Sequence, residues 1–110
     1  MIPTHDAVVV LCTVPDDALG AALAKALVER KLAACVARLG PIRSTYAWNG
    51  EVKEDSEIQL VIKTHRDRLD DLERYVRAHH PYEVPELLAL PAAAGSHAYL
   101  SFIDEGTRPG

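Results

Sequence analysis

A chain of 110 residues, 48% hydrophobic and 25% charged, has the composition of one globular domain with a core of its own. Its net charge of -4 argues against nucleic acid as a partner, because phosphate binding needs a basic face. The apolar run Ala7 to Cys12 is too short to cross a bilayer. It carries no basic segment before it and no cleavage pattern after it, so neither membrane insertion nor a secretory leader is expected. Cys12 and Cys35 lie among apolar residues. In a chain without a leader they read as reduced thiols in a cytoplasmic protein.

Ala7 to Val14 is almost wholly apolar and β-branched, which predicts a buried strand. Pro15-Asp16-Asp17 punctuates, and the aspartates suit a helix N-terminus as cap and dipole partners. Leu19, Leu23 and Leu27, with Ala22 and Ala26 beside them, give an amphipathic helix ending near Lys31. Ala34 to Trp48 is strand-like and interrupted at Gly40-Pro41. Asn49-Gly50 then signals a two-residue hairpin. The returning strand runs from Glu51 to Thr64, so that Trp48 faces Glu51, Tyr46 faces Lys53 and Ser44 faces Asp55. A second helix is expected from about Asp67 to His79, with Leu69, Leu72, Val76 and His79 on one face. Leu87 to Leu90 reads as a short strand. Ser96 to Asp104 fits helix or strand equally, and Glu105 to Gly110 reads as a loose tail.

The hairpin is too long for its domain. The strand Glu51 to Thr64 spans roughly 46 Å at about 3.3 Å per residue. A compact chain of this size has a radius of gyration of about 13 Å. The outer part, Ser44 to Ser56, is therefore expected to protrude as an arm. A bare ribbon is marginal in water, so a second copy of the chain is the simplest cover. The element order β-α-β-β-α-β is ferredoxin-like, an α+β fold. Right-handed crossovers put both helices on one face of an antiparallel sheet, which leaves the other face bare and again points to a homo-oligomer.

Chain directions bring the end of the second helix to the pole where the first strand exits. His79, His80 and Cys12 share that pole, Glu57 lies toward it, and Cys35 opens its strand at the opposite one. Thiolate and imidazole suit copper or zinc. Adjacent helical residues point about 100° apart, so both rings meet one ion only if the helix frays before Pro81 or a neighbouring subunit contributes. The blander readings stand beside this one. Cys12 reads by default as an inert buried thiol, and Cys35 more so; His80 reads as a hydrogen-bonded cleft residue, and His79 as the end of an apolar helix face. Glu57 and Lys63 sit about 20 Å apart on one strand face, so each needs a partner elsewhere, which a subunit boundary would supply. His5, His65 and His97 read as solvated, and Glu54-Asp55 as solvated charge.

The segments Val9 to Thr13, Lys31 to Val36, Tyr46 to Glu51, Glu57 through Thr64, His80 to Glu86 and Tyr99-Leu100 resemble the CutA divalent-cation tolerance family. The resemblance covers Val8 to about Asp104, with Ala47 standing where an aromatic is common and Phe102 where tryptophan is frequent. It implies a homotrimer related in architecture to the PII signalling proteins, and a role in tolerance of copper and other divalent cations. It implies copper-binding positions at Cys12, His79 and His80, and intersubunit clefts lined by Cys35, Trp48, Glu57, Lys63, His80 and Tyr82. A PII-like signalling or small-molecule-binding module using those clefts is the alternative. An enzyme is not expected. Acylphosphatases share the element order, but Asp16 and Asp17 would repel an anion at the first helix N-terminus. The chain also has no Gly-rich phosphate loop and no serine in a nucleophile motif.

Overall fold

The computed structural model describes residues 1–109. Its elements are β1 (Ile2–Pro3), β2 (Ala7–Val14), α1 (Asp17–Glu29), β3 (Cys35–Trp48), β4 (Glu51–His65), α2 (Leu69–His79), β5 (Leu88–Pro91), β6 (Ala94–Gly95) and α3 (His97–Thr107). The main sheet has the order β3-β4-β2-β5, antiparallel throughout. With α1 and α2 as crossovers this is the expected ferredoxin-like arrangement. β1 and β6 form a separate two-stranded pair, too short to leave an alternating pattern in the sequence.

Local chemistry sets the boundaries. Asp16 caps α1, its Oδ1 accepting from the Leu19 amide at 2.8 Å, as the sequence suggested. The chain leaves α1 through Lys31 at φ 60°, and the Leu32 and Ala33 amides both close on the Leu27 carbonyl. The buried stripe is Gly20, Leu23, Ala24 and Leu27; Ala22, expected beside it, is exposed. A short 3₁₀ turn, Arg66–Arg68, precedes α2. His65 caps that turn, its Nδ1 accepting from the Asp67 amide at 3.1 Å. Its side chain is 19% exposed, so the expectation of a solvated histidine is corrected.

Strand alternation sorts the sheet into two faces. Val10, Cys12 and Val14 of β2, with Leu60 and Ile62 of β4, pack against Leu23 and Leu27 of α1 and Leu72 and Val76 of α2. The register pairs Cys12 with Leu60 and Val10 with Ile62, which keeps these side chains together. The alternate residues, Val9, Leu11, Val61 and Leu39, carry the face that α1 and α2 do not cover. On its edges Leu39, Leu88 and Leu90 are 52%, 58% and 44% exposed. At the Ala7 end of β2, α3 contributes Ile103 to a small cluster with Ala7 and Ala34.

α3 resolves the ambiguity over Ser96 to Asp104. Ser96 caps a helix, accepting from the Tyr99 amide at 3.1 Å. It also corrects the expected loose tail, because the helix continues to Thr107, whose hydroxyl is buried and donates to the Ile103 carbonyl at 2.8 Å. Gly110, the last residue of that expected tail, lies outside the described residues.

The hairpin closes as the sequence dictates: Trp48 pairs with Glu51, Tyr46 with Lys53 and Ser44 with Asp55. Asn49 and Gly50 take φ 51° and 79°, the left-handed pair that matches strand twist. Between the pairs Leu39–Gln59 and Ile42–Glu57 the register shifts. Gly40 and Pro41 there oppose Ile58 alone, a β-bulge that bends the ribbon. β2 pairs with β4 only from Ile58 to His65. The outer half of the ribbon therefore stands free as an arm, in a chain with principal extents of 44 × 27 × 22 Å.

Candidate functional site

Helix α2 ends at His79, and His80 leaves helical geometry at φ -91°, ψ 136°, as a residue before proline must. That break sends the two imidazoles in different directions. His80 continues the inward row after Leu72 and Val76, one turn further each time, and is 8% exposed. Its Nε2 donates to the Thr13 carbonyl at 2.7 Å, and its Nδ1 accepts from the Tyr82 amide at 3.1 Å. Both nitrogens are engaged, which fixes one neutral tautomer. His79 turns outward instead, so its expected place on the apolar face is corrected. Its ring stacks on Tyr75 at 4.1 Å between centroids, and its Nδ1 bonds the Tyr75 carbonyl at 2.8 Å.

Cys12 is fully buried, and its Sγ lies 3.8 Å from the same Thr13 carbonyl. The fold thus brings Cys12 and His80 to one carbonyl oxygen. Burial pushes the thiol up to about 12, with the charges of Glu86 and Glu57 adding to the effect. Of the expected ligand set, His79 stands apart within one chain. Among the described residues, no group of three or more His, Cys, Asp or Glu side chains is placed to hold a metal ion. Cys35 is half-buried, and both cysteines are free. A thiol reagent at pH 8 should leave Cys12 unlabelled until the protein is denatured. Mass spectrometry of the digested adduct checks this, and labelling of Cys12 in the native protein would contradict it.

The arm and the corner at 81–86 enclose a cleft of about 810 Å³. The arm gives Tyr46, Trp48 and Lys53, the root of β4 gives Glu57, and the corner gives Tyr82 and Glu86. Tyr46 and Trp48 line it together because strand residues two apart share a face. Glu57, only 6% exposed, accepts from the Tyr82 hydroxyl at 3.1 Å. Its partner comes from its own chain, which corrects the expectation that a subunit boundary must supply one. Asp55 accepts from the Tyr46 hydroxyl, so it is not simply solvated charge. Burial, the hydrogen bond to Glu57 and the charges of Glu57 and Asp55 push Tyr82 up to about 12. The hydrogen bond to Asp55, ahead of burial, raises Tyr46. Glu57, Glu83 and Glu86 line the cleft against Lys53 alone, so acidic side chains outnumber basic ones there.

Gln59 ties the corner to the sheet. Its Nε2 donates to Glu86 Oε1 at 3.0 Å and to the Cys12 carbonyl at 3.2 Å. Of the expected cleft residues, Trp48, Glu57 and Tyr82 meet here, with the His80 ring 4.7 Å from that of Tyr82. Within one chain Cys35 and Lys63 do not. They pair with each other in register, and Lys63 also pairs with Val9, about 10 Å along the strand from Cys12 at 3.3 Å per residue. Gln59 and the roles of Asp55 and Glu86 were missed. Asp55 had one signal, its place across the ribbon from Ser44 and diagonal to Tyr46.

Residues 8–106 match the model of the CutA1 divalent ion tolerance protein family. The chain belongs to this family. The divalent-cation tolerance protein CutA of Thermus thermophilus is 48% identical over 99 residues, covering 90% of this chain and 96% of that one. A crystal structure of CutA1 from Oryza sativa superposes with a TM-score of 0.92 at 42% identity, covering 97% and 98% of the two chains. A structure of the periplasmic divalent cation tolerance protein CutA from Archaeoglobus fulgidus gives 0.90 at 31% identity, covering 93% and 99%. CutA membership accounts for the ferredoxin-like core and the arm together, and divalent-cation tolerance is the activity that the family's name carries. No helix among the described residues is long and apolar enough to cross a membrane.

Proposed function

We propose that the chain works as a homotrimer in tolerance of copper and other divalent cations, in the cytoplasm and without a catalytic step. One observation carries the copper part: the Cys12 sulfur and the His80 ring converge on the Thr13 carbonyl. Thiolate with imidazole is a donor pair that favours copper. His79 presents its remaining ring nitrogen outward one residue away. Joining it to the pair requires the corner at Pro81 to turn, or a second subunit to approach. Both donors at Thr13 are engaged and the thiol is protonated. Copper must therefore displace a proton and the His80–Thr13 hydrogen bond to enter.

Copper titration tests the assignment. Cys12→Ala and the double variant His79→Ala/His80→Ala should each weaken binding at least tenfold relative to the parent chain. Unchanged affinity and stoichiometry would remove these residues from the site. His79→Ala alone separates the outward ring from the inward one.

The trimer reading rests on the exposed leucines of the uncovered sheet face and on the free-standing arm. A second functional reading is favoured by the cleft between arm and corner. Its volume lies in the range of small-molecule sites, about 300–1,000 Å³. On that reading the family architecture serves as a PII-like binding module, with Trp48, Glu57 and Tyr82 in the site and Cys35 and Lys63 outside it within one chain.

A further inference from the structure

We propose that the cleft between the arm and the 81–86 corner takes an organic cation, a small molecule bearing more than one ammonium group, held by Tyr46, Trp48 and Tyr82 and by the Glu57 carboxylate. This rests on the small-molecule reading of the cleft and names the ligand class that reading leaves open.

The aromatic side chains come from both walls. Tyr46 and Trp48 project from the arm and Tyr82 from the corner. They are 39%, 38% and 36% exposed respectively within one chain, so the chain's own packing leaves part of each ring facing the cleft. Ring faces attract ammonium groups through their quadrupole, within about 6 Å of the centroid.

The polar groups favour the same charge. Both tyrosine hydroxyls are already committed as donors, Tyr46 to Asp55 and Tyr82 to Glu57. What they leave open is acceptor capacity. Glu57 is a nearly buried carboxylate whose Oε2 takes the hydrogen bond from Tyr82. Among the described residues no buried side-chain oxygen lacks a partner, so its other oxygen is reached from the cleft, where an ammonium group can give it a charge-assisted hydrogen bond. Glu83 and Glu86 line the corner wall opposite, and Lys53 is the one basic side chain in the lining. Carboxylates on both walls suit a ligand with two or more ammonium groups. A nucleotide would bring several negative charges among these carboxylates against a single lysine, and the nucleotide-type ligand is excluded on that ground.

Trp48 is the only tryptophan of the chain, so its fluorescence reports on the cleft directly. The full-length protein is titrated with spermidine, magnesium chloride and ATP in low salt. The expected result is a saturable change with spermidine alone, weakened about tenfold by Glu57→Gln. The exposed Glu83→Gln gives a second test that disturbs neither the buried Glu57 nor the Gln59–Glu86 tie, with a smaller loss expected. A saturable response to ATP without one to spermidine overturns the organic cation and leaves the small-molecule reading standing. The same response to magnesium at equal charge overturns it too, since the rings would then contribute nothing. Silence with every probe overturns the proposal and the small-molecule reading together.

Discussion

Leu60→Ala should cost about 3–5 kcal/mol of folding stability, the range for leucine truncation in a packed core. Leu60 is fully buried on β4, in a strand flanked on both sides by β3 and β2. Its register partner is Cys12, and both belong to the layer that meets α1 and α2. A cavity at that level cannot collapse easily, because hydrogen-bonded strands hold the backbone on either side. Val28→Ala supplies the comparison. That valine is 42% exposed on the outer side of α1, away from the sheet face assigned to the assembly, so its truncation removes little buried surface. Urea unfolding at fixed protein concentration should separate the two by at least about 2 kcal/mol. Equal midpoints would mean that this layer does not form the main core.

The same pair shows what the sequence could and could not say. Alternation in Ala7–Val14 and Glu51–Thr64 identified the layer containing Leu60 and Cys12, because a period of two survives wherever one face is packed. Asn49-Gly50 fixed the arm's register to the residue, since few dipeptides tolerate two consecutive positive φ values. The site was only half legible. Chain direction correctly brought His80 and Cys12 to one pole, but periodicity assigned His79 to the inward face. The helix offset from Val76 allows either position 79 or position 80. The backbone break before Pro81 decides for His80, and its bond to Thr13 is made across 67 residues of sequence. Tyr82 with Glu57 and Gln59 with Glu86 are long-range pairs of the same kind. No local pattern encodes them, because they depend on how the corner after α2 folds back against β4. The short pair β1–β6 and the last turn of α3 were illegible for a simpler reason. A two-residue strand has no period, and Thr107 is buried by its neighbours' packing rather than by its own hydropathy.

Charge placed on the uncovered sheet face should break the assembly while leaving the fold intact. Leu39 sits on β3 and Leu88 on β5, the two edge strands of the sheet, and both side chains are more than half exposed. Each belongs to the face opposite α1 and α2: Leu39 pairs with Gln59 and Leu88 with Leu11. If this face is buried between copies, Leu39→Glu/Leu88→Glu must either bury unpaired carboxylates or keep the surfaces apart, and separation is the cheaper outcome. Light scattering should then give three times the 12.0 kDa chain mass for the parent protein and 12.0 kDa for the variant. Circular dichroism should be preserved in both, because neither leucine belongs to the buried core. Val28→Glu, on the outer side of α1 and 42% exposed, should leave the mass unchanged. A double variant that keeps the parent mass would move the interface off this face. A parent protein that runs as a monomer would remove the trimer, and the arm would then have to be stable as an isolated ribbon, which two strands in water rarely are.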